Sequence, residues 1–233
     1  MLLALVRHAE SVENATKYTG FYRNPRPWNS AAAHDLSRDI VGLTPRGFTQ
    51  CLWLRETLAH ELGAPPQVWT SRYRRARDTA ALAFPRCRPQ ATGLLDEQHY
   101  GDATYMTKEE LFTAHPGGVE DRRLRKHLWL PPGPGGESLA GGVHRRAATF
   151  LHHLTAPPSA AGPVEGPLVA VTHHTTLLAL RALLEHRSLP DVVAESRRAK
   201  TPNAVVLLYE GAPGHAWQTR RTLTPPSAKE QPQ

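Results

Sequence analysis

Two adjacent residues near the start of the chain have side chains suited to phosphoryl transfer. Arg7 and His8 follow directly after residues 2–6, the apolar run Leu-Leu-Ala-Leu-Val. An imidazole can attack phosphorus, and a guanidinium beside it can hold the phosphoryl oxygens and stabilise their charge. The attack requires one bare ring nitrogen, with the other held as a donor, usually to a backbone carbonyl. We therefore take His8 as the candidate nucleophile, although a single histidine in a chain with thirteen is weak evidence by itself.

A second histidine has the same kind of position. His173 follows residues 168–172, another apolar run that is typical of a buried strand. Open α/β folds bind ligands at the carboxyl edge of the sheet, where the last side chains of such strands lie. Core packing does not readily account for two strand ends that each carry a histidine.

Five segments resemble, in the same order along the chain, the sequence pattern of the histidine phosphatase superfamily, which includes cofactor-dependent phosphoglycerate mutases and fructose-2,6-bisphosphatase. The segments are residues 7–11 (Arg-His-Ala-Glu-Ser), 43–50 (Leu-Thr-Pro-Arg-Gly-Phe-Thr-Gln), 71–80 (Ser-Arg-Tyr-Arg-Arg-Ala-Arg-Asp-Thr-Ala), 95–101 (Leu-Asp-Glu-Gln-His-Tyr-Gly) and 171–173 (Val-Thr-His). Ala9 stands where the family usually has glycine. His174 stands where it has glycine or another small residue.

The resemblance implies a phosphate clamp around the nucleophile. Its members would be Arg7, Arg75 and His173. Two guanidiniums match the trigonal oxygens of a transferring phosphoryl group. Arg75 lies in a cluster of arginines and is favoured by its spacing within the 71–80 segment, with Arg74 and Arg77 as alternatives.

The resemblance also implies that Glu97 is the general acid. It would protonate the leaving alkoxide, a contribution of roughly 10²–10⁴-fold, and would later activate water. Asp96 is the alternative acid, and a solvated acidic pair is the plainest interpretation of the two. The family usually continues with Trp-Glu-Gly, whereas this chain has Gly101-Asp102-Ala103.

Further residues are expected to contact the substrate. The resemblance implies this for Asn14, Thr19 and Gly20, which match family positions that touch phosphate or substrate. Tyr100 and His174 lie in or directly after matched segments, with a side chain that points outward as the alternative for His174. The basic run 122–126 suggests two more, Arg122 and Arg123, which could bind a carboxylate or a second phosphate. The alternative for this run is a solvated cationic face.

Strands that alternate with helices predict an α/β fold, a three-layer α/β/α sandwich with a mostly parallel central sheet and helices on both faces. We expect one domain over residues 1–222, with loop insertions at about 21–42 and 98–135 and a disordered tail at 223–233. The expected strands are 2–6, 67–70, 88–92, 168–172, 204–209 and 216–219, and the expected helices are about 44–60, 72–82, 107–115, 138–154 and 175–186. Thr44-Pro45 and Gly63 are start and stop signals for the first of these helices, and residues 107–110 form a capping box.

Composition narrows the class of protein. The 233 residues carry a formal charge of +7 and a pI near 9.8, but no nucleic-acid motif accompanies the charge, and we attribute it to an Arg-, Ala- and Pro-rich composition. No stretch approaches the length of a membrane span, and the N-terminal apolar run is too short for a signal peptide. Cys51 and Cys87 are expected to be reduced thiols of a cytoplasmic protein. The sequence is compatible with a homodimer.

The combined prediction is a metal-independent phosphomonoesterase that uses a phosphohistidine and acts on a small phosphorylated substrate, with no cofactor. The histidines lack the spacing of a metal site, since no His-Glu-x-x-His and no cysteine cluster occurs. A phosphoglycerate mutase-like phosphotransferase is the enzymatic alternative. The segment 136–138 (Gly-Glu-Ser) comes too early for the long helical insert of mutases, so we favour the phosphatase. A catalytically inactive binding protein on the same scaffold is the third hypothesis.

Overall fold

The computed structural model describes residues 1–16, 30–155, 166–211 and 216–226. These residues form a six-stranded mixed sheet with helices on both faces, which confirms the predicted α/β sandwich. The strands are β1 (Leu2–Arg7), β2 (Gln67–Ser71), β3 (Gln90–Thr92), β4 (Leu168–Thr172), β5 (Val206–Glu210) and β6 (Gln218–Leu223).

The strand order is β3-β2-β4-β1-β5-β6. The pairs β3–β2, β2–β4 and β4–β1 are parallel, and β1–β5 and β5–β6 are antiparallel. The carboxyl ends of the first four strands in the sequence therefore meet at one edge. Because β5 runs the other way, the residues that precede β5 lie at that same edge, beside the end of β1.

Nine α-helices are found among the described residues. They are α1 (Val12–Thr16), α2 (Ser30–Asp35), α3 (Pro45–Leu62), α4 (Arg74–Ala83), α5 (Lys108–Ala114), α6 (Val119–Leu124), α7 (His144–Thr155), α8 (His174–Leu184) and α9 (Leu189–Arg198). Of the helices in this part of the chain, none combines the length and the apolar character needed to cross a membrane.

Alternate residues of the central strand β1 point to opposite faces of the sheet, as the two-residue period of a strand requires. Leu3 and Leu5 belong to the core that α7, α8 and α9 cover, whereas Ala4 and Val6 belong to the core beneath α3 and α4. All four are fully buried. A strand buried on both faces explains why this segment is apolar throughout.

The predicted capping signals are confirmed. Thr44 accepts a hydrogen bond from the backbone N–H of Gly47, Pro45 is the first residue of α3, and Gly63 ends the helix in the left-handed conformation with φ 66°. The capping box at the start of α5 is complete, because Thr107 and Glu110 each accept from the other's backbone N–H.

The structure corrects several expected segments. The described part of the 21–42 loop is helical, with α2 followed by a π-helical turn over Leu36–Ile40, and residues 98–135 hold two α-helices rather than one. Helix α9 was not expected at all. The last hairpin is shifted toward the C-terminus by about two residues, and β6 reaches into the expected tail, whose residues 227–233 lie outside the described ranges.

Candidate active site

The sheet edge brings the two strand-end histidines together. The His8 and His173 rings have centroids 5.0 Å apart, and both side chains are buried. They follow the neighbouring parallel strands β1 and β4, and the backbone N–H of His8 donates to the carbonyl oxygen of Thr172 at 2.8 Å. The strand register therefore sets the spacing of the two imidazoles.

His8 has a defined hydrogen-bonding state. Its Nδ1 donates to the carbonyl oxygen of Ala9 at 2.7 Å, which leaves the lone pair on Nε2. Burial lowers the pKa of His8 well below its usual value, and the charges of Arg75 and Arg7 lower it further. The ring is therefore neutral near pH 7, with one nitrogen held and the other bare.

Arg75 is the buried member of the arginine cluster. Its exposed fraction is 5%, whereas Arg74 and Arg77 are both exposed. Its Nη1 donates to the carbonyl oxygen of Ser37 at 2.7 Å and lies 3.4 Å from Oε2 of Glu13. The structure thus brings Arg75, and not its neighbours, to the electrostatic surroundings of both histidines.

Tyr73 packs against three members of the site. Its ring lies 4.7 Å from Cζ of Arg75 and makes an edge contact with the His173 ring at 4.9 Å. Its hydroxyl lies 3.4 Å from Nδ1 of His34. Tyr73 is almost fully buried, and this burial raises the pKa of its hydroxyl. It therefore forms a rigid wall between the clamp and α2.

Arg7 is held by the segment before β5. Its Nη1 donates to the carbonyl oxygen of Thr201. The Asn203 side-chain amide donates to the carbonyl oxygen of His8 at 3.1 Å and to Oδ1 of Asn14 at 2.8 Å. The predicted substrate residue Asn14 thus lies beside the candidate nucleophile His8, with its amide oxygen already accepting a hydrogen bond within the protein.

The two adjacent carboxylates have different surroundings. Asp96 is buried, with Oδ1 accepting from the Ser71 hydroxyl at 2.9 Å and Oδ2 accepting from Nε of Arg72 at 2.8 Å. Glu97 is half-buried, and its Oε1 accepts from the backbone N–H of Gln98 at 2.9 Å and of Thr175 at 3.2 Å. Asp96 is therefore committed to internal contacts, and Glu97 lies at the start of α8 beside His173.

Arg146 holds the segment that carries Glu97. Its Nη1 donates to the carbonyl oxygens of Gly93 and Asp96 at 3.0 and 3.1 Å, and its Nη2 forms an ion pair with Glu137. This arginine lies on α7, far from any of the matched segments, so its sequence position gave no indication of this role.

The remaining predicted substrate residues have separate surroundings. Arg122 is half-buried over the Trp129 ring at 4.7 Å, whereas Arg123 is exposed. Burial raises the pKa of the Tyr100 hydroxyl to about 12, with the charge of Glu97 as the second cause and Arg122 opposing it. Tyr100 therefore lies within the electrostatic reach of Glu97.

Two of the predicted substrate residues lie outside the described ranges, and a third, His174, contacts helix α9. Thr19 and Gly20 belong to the part of the chain that the structure does not describe. Nε2 of His174 lies 3.2 Å from the hydroxyl of Ser196 on α9. The roles of all three stay predictions.

The two long connecting segments converge on Arg75. Ser37 comes from the first segment, and Tyr105 from the second interacts with it and with the charges of Glu13 and Arg75. Tyr105 has a φ of 67°, a left-handed conformation that is uncommon for a tyrosine and often marks a functional site. Contacts of this kind depend on how the loops fold back, so no local sequence signal identified them.

A second pair of histidines lies at the junction of these segments. The His34 and His99 rings are 3.9 Å apart. The pKa of His34 is lowered to about 4, chiefly by burial and then by the charges of His99 and Arg38. Within the described ranges, no three side chains of histidine, cysteine, aspartate or glutamate are grouped so that they could hold a metal ion.

Comparison with known proteins finds the same fold in solved structures. The chain is similar to the structure of a mycobacterial glucosyl-3-phosphoglycerate phosphatase in complex with VO3, with 23% identity, a TM-score of 0.68 and coverage of 94% of this chain and 96% of the other. It is also similar to a phosphoserine phosphatase variant from Entamoeba histolytica in complex with phosphoserine, with 15% identity, a TM-score of 0.64 and 95% coverage of both chains. A comparison with curated protein sequences gave no match.

A family model for the histidine phosphatase superfamily (branch 1) matches residues 3–221. This match covers both strand-end histidines, the buried arginine after β2 and the segment before β5. With nearly the whole described structure inside it, the chain belongs to branch 1 of the histidine phosphatase superfamily.

Proposed function

We propose that the protein is a metal-independent phosphomonoesterase that acts through a phosphohistidine on His8. The observation that carries the proposal is the hydrogen bond from Nδ1 of His8 to the Ala9 carbonyl, because it leaves Nε2 bare in a buried site beside two guanidiniums. A neutral imidazole held in this way is a competent nucleophile toward phosphorus.

In the first step, Nε2 of His8 attacks the phosphoryl group and the ester P–O bond breaks as the N–P bond forms. Arg7 and Arg75 stabilise the charge on the phosphoryl oxygens. Glu97 gives a proton to the leaving alkoxide. In the second step, Glu97 takes a proton from water as the water attacks phosphorus, the N–P bond breaks and phosphate is released.

The substrate class is a small phosphorylated metabolite. The fold relatives are named as phosphatases for glucosyl-3-phosphoglycerate and phosphoserine, which supports a phosphate monoester with a compact leaving group. The two unbridged cysteines, Cys51 and Cys87, agree with the cytoplasmic location that we also propose.

The test is a rapid quench in alkaline denaturant after mixing with a phosphate-labelled monoester, followed by analysis of the protein under basic conditions. We expect an acid-labile, base-stable adduct that is absent from His8→Gln, and full turnover in the presence of a chelator. Turnover without any trapped adduct, or a loss that one divalent metal restores, would overturn the mechanism.

The same preparation separates the two other hypotheses. Activity on phosphoglycerates that depends on a bisphosphoglycerate primer would identify a mutase-like phosphotransferase. Binding of vanadate with no phosphate release across sugar, nucleotide, glycerate and amino-acid phosphates would identify an inactive binding protein.

A further inference from the structure

The hydroxyl of Ser71 joins the second histidine to a carboxylate. Ser71 is fully buried at the end of β2, and its Oγ lies 2.8 Å from Nε2 of His173 and 2.9 Å from Oδ1 of Asp96. The backbone N–H of Tyr73 donates to the same Oγ at 3.1 Å. Three polar atoms therefore surround a hydroxyl that has one proton to donate and two lone pairs.

Asp96 determines where that proton points. Its carboxylate accepts from the backbone N–H of Arg72 at 2.8 Å and forms an ion pair with the Arg72 guanidinium at 2.6 Å. An ionised carboxylate can only accept hydrogen bonds, so the short contact to Ser71 requires the hydroxyl to donate toward Asp96. If the hydroxyl turned away, two oxygens with lone pairs would face each other at this distance.

The state of His173 follows from this assignment. The two lone pairs of Ser71 are left to accept from the Tyr73 N–H and from Nε2 of His173, so Nε2 carries the ring proton. Nδ1 is then bare, and it is buried with no hydrogen-bond partner among the described residues. His8 has the opposite tautomer, with its proton on Nδ1 and its lone pair on Nε2.

The charged groups around His173 keep the ring neutral in the empty site. Burial is the largest cause that lowers its pKa well below the usual value, followed by Arg75 on α4, His8 and Arg7 at the end of β1, and Arg146 on α7. Among the described residues, Asp96 is the anion that is joined to the ring, through the Ser71 hydroxyl. A neutral ring with a bare Nδ1 can accept a hydrogen bond there but cannot donate one.

We propose that Asp96 and Ser71 are positioning residues that fix His173 as the Nε2–H tautomer, so that the clamp binds a phosphoryl group together with one proton. That proton is shared between Nδ1 and a phosphoryl oxygen. A substrate monoanion brings the proton itself, whereas a dianion takes it up from solvent. The inference rests on the proposed function only in that the pocket holds a phosphoryl group.

The first test reads the tautomer in the free protein, without turnover. Two-bond ¹H–¹⁵N correlation spectra distinguish the two neutral tautomers, and the His173 signals are assigned by their loss in His173→Gln. We expect the Nε2–H form in the wild type. Asp96→Ala frees the Ser71 proton to donate to His173 and should move the ring toward the Nδ1–H form. A wild type in the Nδ1–H form, or no change in Asp96→Ala, would overturn the proposal.

The second test counts protons on binding. Titration calorimetry with inorganic phosphate at pH 8, where phosphate is mainly the dianion, is repeated in buffers of different protonation enthalpy. We expect close to one proton taken up per phosphate in the wild type and much less in Ser71→Ala, where His173 can present Nδ1–H to the dianion directly. Ser71→Cys keeps the side-chain size with a weak acceptor and should behave similarly if Ser71→Ala is unstable.

Thr70→Val is the matched control. Thr70 is the preceding residue on the same strand and is also buried. Its hydroxyl donates to the carbonyl oxygen of Ser71 and not to His173. The Thr70→Val replacement should leave proton uptake on phosphate binding unchanged. Absence of uptake in the wild type, or equal uptake in Ser71→Ala, would overturn the proposal. If the tautomers and the proton uptake are as expected but the protein shows no turnover, the result would contradict only the proposed phosphatase activity.

Discussion

Arg7 and Thr172 are opposite each other in the register of β1 and β4, and this pairing places His8 and His173 side by side. Both strands are buried on both faces, so a shift of one residue would exchange the two faces of the strand and disrupt both cores. The apolar pattern of residues 2–6 and 168–172 therefore determines the geometry of the site as well as the fold.

Replacing His8 by alanine should reduce turnover at least about 10³-fold, because a methyl group cannot attack phosphorus. Arg7 and Arg75 remain, so vanadate should still bind. Steady-state kinetics and vanadate titration check this, with thermal unfolding as the control for folding. Activity above a few per cent of the wild-type value would show that His8 is not the nucleophile.

Arg75→Ala should lower kcat/KM by about 10²–10³-fold, the typical loss for a group that stabilises charge in the transition state. Arg74→Ala and Arg77→Ala are matched controls on the same helix, and both side chains are exposed. Each control should remain within about threefold of the wild type. A larger loss at Arg77 than at Arg75 would show that the helix presents a different face to the substrate.

Glu13→Gln should tighten the binding of vanadate or phosphate by about three- to tenfold, or roughly 0.7–1.4 kcal/mol. The Glu13 carboxylate lies 3.4 Å from Nη1 of Arg75 and repels an incoming anion. Glu10→Gln is the control, because Glu10 pairs with Arg46 on α3. Weaker binding in Glu13→Gln would mean that Glu13 orients Arg75 for the substrate.

We expect the acid limb of the pH profile of kcat/KM to lie below pH 6.5. The reactive form of His8 is neutral, and burial lowers the pKa of His8 well below its usual value. Protonation therefore removes the nucleophile only at pH values well under the ordinary histidine pKa. An acid limb at pH 6.5 or above that a substrate-independent probe of His8 also shows would contradict this.

Arg122→Ala should raise KM for polyanionic substrates by about tenfold while changing KM for p-nitrophenyl phosphate little, since a remote carboxylate or phosphate would lose a charged partner. Arg123→Ala is the control, because Arg123 is exposed and Arg122 is half-buried over Trp129. Equal effects on the two substrates, or no effect on either, would assign the basic run to the solvated surface.

The segments that could be predicted are those governed by local physics. The strand ends at Arg7 and Thr172, the helix start at Thr44-Pro45 and the capping box at Thr107 follow from hydrophobic pattern and from backbone groups that need partners. Helix α9 also has local signals, since Ser188 caps it and Pro190 lies in its first turn, but they went unrecognised.

The contacts that could not be predicted depend on chain segments meeting in space. Ser37, Glu13 and Tyr105 reach Arg75 from three separate parts of the chain, and Arg146 reaches the Glu97 segment from α7. None of these positions has a periodic pattern or a turn signal that points to the site. The matched motifs indicated the residues of the proposed clamp, and tertiary packing determined what surrounds them.

The antiparallel direction of β5 has a consequence for biosynthesis. The contacts of Arg7 with Thr201 and of His8 with Asn203 join residues 194 and 195 positions apart. At a synthesis rate of about 5–20 residues per second, the ribosome adds the second half of each contact roughly 10–40 s after the first. The segment that holds Arg7 and His8 is thus made well after them, so nascent chains and shortened fragments that stop before Thr201 would lack both contacts.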